Sequence, residues 1–242
     1  FAANVIVEQF FVSADNDTPA THFIISTDES LSDILDLSTL GAVGTTGLHT
    51  KGLFSDGGKA LDATLFGDDD DNYIQAYDGD DRIMAGAGDD RIESDGGDDR
   101  IFGQRGDDLL FGGGGDNVLI GGAGDDKIHA VGDKDLVKDW KGNDVIIARA
   151  DETTIHFEGL GDYDAEDEVN TILKFDLGTD HILIDGQAND AVAAQGFLAG
   201  HAMFDGNDLF IDLGDGRAIK LIDLKDDDDP NNVEDYAEIF GF

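Results

Sequence analysis

Residues Gly67–Ile147, written in blocks of nine, read GDDDDNYIQ, AYDGDDRIM, AGAGDDRIE, SDGGDDRIF, GQRGDDLLF, GGGGDNVLI, GGAGDDKIH, AVGDKDLVK and DWKGNDVII. The eighth column is aliphatic in every block: Ile74, Ile83, Ile92, Ile101, Leu110, Leu119, Ile128, Val137 and Ile146. The sixth is Asp or Asn throughout: Asn72, Asp81, Asp90, Asp99, Asp108, Asn117, Asp126, Asp135 and Asp144. The fourth is Gly in seven blocks, with Asp70 and Asp133 as exceptions. A repeat in such strict register decides the architecture before any local reading does.

Each column has a physical meaning. A glycine-rich half-block can turn tightly and aim several carbonyl oxygens inward. The sixth-position carboxylate can then complete the all-oxygen shell that a hard cation requires. The eighth-position aliphatic sits on a short strand and points to a core that no single block can close, so blocks must stack. Two blocks make one coil, which places the strands in two facing parallel sheets and the turns along both edges. An ion would lie between turns of alternate blocks. One edge carries Asn72, Asp90, Asp108, Asp126 and Asp144; the other carries Asp81, Asp99, Asn117 and Asp135. Counting the gaps gives at most seven ions, four on one edge and three on the other.

The blocks resemble the G-G-x-G-x-D-x-U-x nonapeptide of RTX (repeats-in-toxin) proteins, best in Gly121–His129 and Ala85–Glu93. The resemblance implies an all-β fold, a calcium-bound parallel β-roll with mostly β capping segments. It implies ions held by the sixth-position side chains above and by turn carbonyls beside them. Where the columns match, these are Gly86, Gly88, Gly97, Gly103, Gly106, Gly113, Gly115, Gly122, Gly124 and Gly142. Three blocks depart from the pattern: Asp70 replaces the turn glycine, Asn117 is a neutral ligand, and Asp133 and Lys134 crowd the eighth block. The Asn72/Asp90 and Asn117/Asp135 sites are therefore expected to be the weakest. The fifth-column aspartates, Asp71 to Asp125, are expected to face solvent, and Arg82, Arg91 and Arg100 to relieve like-charge stacking.

Composition agrees. The chain has 242 residues, 55 of them acidic and 15 basic, for a formal charge of -40. Such self-repulsion opposes a compact state unless a cation neutralises it, while 40% hydrophobic residues argue against disorder. Nucleic acid and anionic membranes bind basic surfaces, so neither is an expected partner. No apolar run approaches the roughly 18 residues of a transmembrane segment. Cysteine is absent, which removes disulfides and thiolate chemistry. The chain opens on Phe1 rather than Met, so a piece of a longer protein is expected. Phe1–Val12 lacks a basic signal-peptide start, which places any export signal elsewhere.

The chain divides into three segments: a β cap at 1–66, the roll at 67–147, and a β-rich cap at 148–242. In the first, Val5–Val12 and His22–Ser26 read as strands. In the last, Thr171–Ile184 reads as two strands around Leu-Gly-Thr-Asp, with a short helix over Ala191–Leu198 capped by Asn189 or Asp190. Gly214-Asp215-Gly216 joins two further strands as a hairpin. The non-repetitive C-terminal segment is similar to the cap of type I secreted bacterial RTX proteins, and Val233–Phe242 to their uncleaved export signal. Asp226–Asp229 reads as a solvated charge run. Asp162–Glu166 fails as an EF-hand, having Asp167 and Leu173 where Gly and Glu are needed.

No catalytic constellation emerges. The six histidines, His22, His49, His129, His156, His181 and His201, never reach the H-E-x-x-H spacing, and no G-x-S-x-G occurs. The expectation is a non-enzymatic, secreted, extracellular module that folds on binding calcium and supports the export, stability or presentation of a larger protein. Two alternatives stand beside it. One is an adhesive module binding polysaccharide or another cell-surface ligand through the flat face of the roll; the other is a calcium-assembled surface-layer or matrix protein.

Overall fold

In the computed structural model of the chain, residues 6–15, 18–26, 34–36, 47–49, 62, 64–139, 141–157, 168–184, 191–214, 216–224 and 239–241 are described. The strands in chain order are β1 (Ile6–Asp15), β2 (Thr18–Ser26), β3 (Ile34–Asp36), β4 (Gly47–His49), β5 (Thr64–Phe66), β6 (Tyr73–Gln75) and β7 (Arg82–Ala87). Next come β8 (Arg91–Glu93), β9 (Arg100–Arg105), β10 (Leu109–Phe111), β11 (Val118–Ala123), β12 (Lys127–Ala130), β13 (Lys134–Asp139) and β14 (Val145–Ala148). The series ends with β15 (Glu152–Phe157), β16 (Glu168–Leu173), β17 (His181–Ile184), helix α1 (Ala191–His201), β18 (Ala202–Asp205), β19 (Asp208–Gly214) and β20 (Arg217–Ile222).

Alternate strands build two sheets. One has twelve strands in the order β1-β2-β4-β6-β8-β10-β12-β14-β16-β20-β19-β18; the other has eight, β17-β15-β13-β11-β9-β7-β5-β3. Within the repeat every pairing is parallel and joins equivalent columns, as in Ile83↔Ile101 and Leu110↔Ile128. Two nonapeptides therefore make one coil, and the protein is the parallel β-roll its repeat implies. All nine eighth-column aliphatics are fully buried between the sheets. Burying each contributes about 1.5–3 kcal/mol, and only the stacked neighbours make that burial possible.

The inward row continues on both sides of the block that displays it. Leu65 precedes Ile83, and Ile155, Ile172 and Ile182 follow Val137 and Ile146 in register. At the ends the chain turns antiparallel: β1 pairs β2, while β18, β19 and β20 form a meander. The expected hairpin over residues 214–216 is the β19–β20 connection. The two strands expected within Thr171–Ile184 exist, yet lie in opposite sheets, so their turn is half a coil rather than a hairpin.

Helix α1 seats Phe197 and Leu198 in the core, with Phe197 edge-on to Phe240. Ile239 and Phe240, within the expected export signal, are buried, and Gly241 lies against the His181 ring. The remainder of Val233–Phe242, the capping pair Asn189 and Asp190, the Asp162–Glu166 stretch and Asp226–Asp229 lie outside the described residues.

Candidate metal centre

The sixth column forms a hydrogen-bonded ladder along each edge of the roll. Asp108 Oδ1 accepts from the Asp90 backbone N–H at 2.8 Å, Asp126 Oδ1 from Asp108 N–H at 2.8 Å, and Asp144 Oδ1 from Asp126 N–H at 2.7 Å. On the other edge Asp99, Asn117 and Asp135 accept in the same way from Asp81, Asp99 and Asn117. Asn72 N–H donates to Asp90 Oδ1 at 2.7 Å. The carbonyls of these residues are occupied too, as Asp90 O accepts from Leu109 N–H and Asp108 O from Lys127 N–H. Position six is thus buried and anchored to both neighbouring coils, which explains why only Asp or Asn stands there.

The second carboxylate oxygen is the unusual atom. Oδ2 of Asp90, Asp99, Asp108, Asp126 and Asp135 is buried and accepts no hydrogen bond from the described residues. A buried polar atom without a partner is rare because its lost hydration is not replaced, and an uncompensated buried charge costs more still. Burial, ahead of every other cause, drives the carboxyls upward: Asp90, Asp108 and Asp135 to about 7, Asp126 to about 8 and Asp99 to about 6. Backbone hydrogen bonds pull the other way without reversing the shift, as does the Ser94 hydroxyl beside Asp99, whose hydrogen is donated to the Gly112 carbonyl in this fold.

The two asparagines show what these oxygens face. Asn117 Nδ2 points at the carbonyls of Gly113 and Gly115, 3.5 and 3.4 Å away. Its amide hydrogens stand in for positive charge at the point where side chain and turn carbonyls converge. Asn72 turns on itself, donating from Nδ2 to Asp68 Oδ1 and accepting from Asp68 N–H. In neighbouring blocks an anionic oxygen occupies the equivalent position. A cation there would meet carboxylate and carbonyl oxygens together, the donor set of a calcium site.

The turns themselves require glycine. Gly106 and Gly124 have φ of +112° and +135°, and a Cβ on either would overlap the carbonyl oxygen one coil earlier, Gly88 O and Gly106 O respectively. Successive turns are therefore stacked carbonyl to backbone. The second position also adopts positive φ, where Gly86, Gly113 and Gly122 sit easily and Tyr77, Asp95 and Gln104 do not. Gly88, Gly97, Gly115 and Gly142 share the left-handed geometry, whereas Gly103 approaches Asp108 Oδ2 without it. Among the described residues no three His, Cys, Asp or Glu side chains converge.

The fifth-column aspartates are exposed. They form a second ladder running the opposite way: Asp107 Oδ1 accepts from Asp125 N–H and Asp89 Oδ1 from Asp107 N–H, at 2.8 and 2.9 Å. Each Asp-Asp pair thus binds the coil after it with one residue and the coil before it with the other. Beyond the repeat, Asn170 and Asp180, which no column of nine marks, take over the sixth-position role. Asn170 Oδ1 accepts from Asp144 N–H and Asp180 Oδ1 from Thr153 N–H, both at 2.7 Å. Asp180 Oδ2 accepts from Asp176 N–H, so this carboxylate, unlike those of the array, is satisfied by its own turn.

No helix among the described residues is long and apolar enough to cross a membrane. No curated protein matches the chain. Residues 58–92 and 93–128 each match the family model of the RTX calcium-binding nonapeptide repeat, which spans four copies of the nonapeptide. The match begins one nonapeptide before Gly67, at the block whose Leu65 is the first member of the buried row among the described residues. The stacked coils with their acidic turns are, over residues 58–128, RTX calcium-binding nonapeptide repeats.

Proposed function

We propose that this chain is a calcium-gated folding module of a secreted protein, with Asp81, Asp90, Asp99, Asp108, Asp126, Asp135 and Asp144 as the principal side-chain ligands and the turn glycines as carbonyl donors. The observation that carries the reading is the row of buried carboxylate oxygens left without hydrogen bonds on successive coils. In the metal-free fold each is a liability; divalent calcium supplies the charge that neutralises adjacent coils. Because the site exists only when coils are stacked, binding energy becomes folding energy. The weaker extracellular class of sites, with dissociation constants on the order of 10⁻⁴–10⁻³ M, suits a chain that stays unfolded in a calcium-poor cytosol and folds outside.

In this reading residues 67–147 are the ion-binding roll, 1–66 and 148–242 cap its ends, and type I export delivers it. Asn72 and Asn117, whose amides already satisfy local oxygens, mark the weakest positions. Circular dichroism in chelator against millimolar calcium tests the proposal. Strand signal should appear with calcium, and full strand content in chelator at neutral pH would refute the gating.

A further inference from the structure

The outer face of the eight-stranded sheet carries a cleft of about 420 Å³ lined by Phe102, Gln104, Arg105, Ile120, Ala123 and Lys141, with Gly122 in its floor. Register explains its shape. Arg105 pairs with Ala123 on the next coil, and Ala123 bridges Lys141 on the one after. A coil with small residues, Gly122 and Ala123, is thus flanked by two coils that project a cation from the same column. At about 4.8 Å per strand the two cationic coils stand roughly 10 Å apart, with the gap between them floored by apolar side chains.

Two features separate this cleft from an ordinary solvated face. The side chains of Arg105 and Lys141 are exposed and make no hydrogen bond or ion pair among the described residues, in a chain of formal charge -40; the Lys141 charge acts at longer range on Glu168, at the start of β16. The outward residues of the neighbouring strands β7, β9 and β11 are Arg82, Met84, Arg100, Phe102, Val118 and Ile120, with no acid among them. Arg82 lies over the Phe102 ring, 5.0 Å from its centre, and adds to the positive field. Gln104 stands at the rim.

We propose that this cleft binds a small amphipathic monoanion, an alkyl or aryl group bearing one carboxylate or sulfonate. The apolar body lies against Phe102, Ile120 and Ala123, and the anionic head sits between Arg105 and Lys141, where charge-assisted hydrogen bonds form. The volume is that of a small-molecule site. Electrostatic complementarity selects an anion there while the acidic turns repel it elsewhere. None of these side chains belongs to the sixth-column ladder.

The test is calorimetric titration of the calcium-loaded chain with 1-octanesulfonate, with 1-octanol as the uncharged control. One saturable site is expected, about tenfold weaker for each of Arg105→Ala and Lys141→Ala, the loss that goes with one charge-assisted contact, and about a hundredfold weaker for octanol, which loses both. Ala123→Leu, which fills the cleft and keeps both cations, should abolish binding while leaving the calcium-dependent circular dichroism unchanged. The proposal is overturned by no saturable binding to the wild-type chain at millimolar ligand, by equal affinity for sulfonate and alcohol, or by an Ala123→Leu variant that binds as before.

Discussion

Replacing Asp108 with Asn exchanges one anionic oxygen for an amide nitrogen at the centre of the array. Asn117 already occupies an equivalent position: its Oδ1 still accepts from Asp99 N–H at 3.0 Å, while its Nδ2 turns to the carbonyls of its own turn. Asp108→Asn should therefore keep the ladder bond to Asp90 and lose the anionic Oδ2. Asp108 stands between Asp90 and Asp126 on one edge, so two gaps depend on it. At free calcium ten times the dissociation constant each bound ion stabilises the fold by about 1.4 kcal/mol, and losing both removes about 3 kcal/mol. For a chain of this size that lowers the melting temperature by about 6–12 °C. Calorimetric titration should count two fewer ions, and melting in calcium should shift by that amount. Asp107→Asn is the control: its side chain is exposed and its acceptor role toward Asp125 N–H survives, so stability should change by no more than about 0.5 kcal/mol. Identical ion counts for Asp108→Asn and wild type, or equal losses for the two variants, would refute the assignment of Oδ2 as the ion-facing atom.

Asn117→Asp should do the reverse, filling the two gaps beside it and raising the melting temperature in calcium, because it replaces a self-satisfied amide by a carboxylate; titration stoichiometry checks it. Gly106→Ala places a methyl group on the Gly88 carbonyl at φ +112° and should destabilise the calcium-bound fold by well over about 1 kcal/mol, read from its melting curve. In chelator the pH dependence has a fixed sign. The carboxyls of Asp90, Asp108, Asp126 and Asp135 lie at about 7 to 8 in the fold, above their ordinary 3.8, so their contribution is complete in acid and lost as pH rises through 7 to 8. Strand content without calcium should accordingly increase from pH 8 to pH 5 by circular dichroism, and a flat or opposite trend would contradict the burial of these groups.

The eighth-column aliphatics and sixth-column acids were legible because ion-binding turns leave no freedom in spacing. Every ladder bond within the array joins residues 18 apart, and a sequence written in nines displays it. The later coils hide for the same reason. Asn170 and Asp180 bond to residues 26 and 27 positions earlier, and Ile155 belongs to a block, ARADETTIH, without a turn glycine. Once a coil holds no ion it needs only an inward aliphatic and one acceptor for the ladder, so its turn can lengthen and its column pattern disappears. The outer-face cleft was illegible too, since Arg105, Ala123 and Lys141 become neighbours only through the coil register.

The capping elements at the two ends, β1–β2 and β18–β20, belong to the same twelve-stranded sheet. A duplication of a single nonapeptide would carry everything downstream across to the opposite wall, leaving the two closing hairpins on different sides of the molecule. A duplication of two would return every strand to its own wall and simply make the protein taller. Viable length variants of this chain are thus expected to differ by whole turns of the spiral, never by halves.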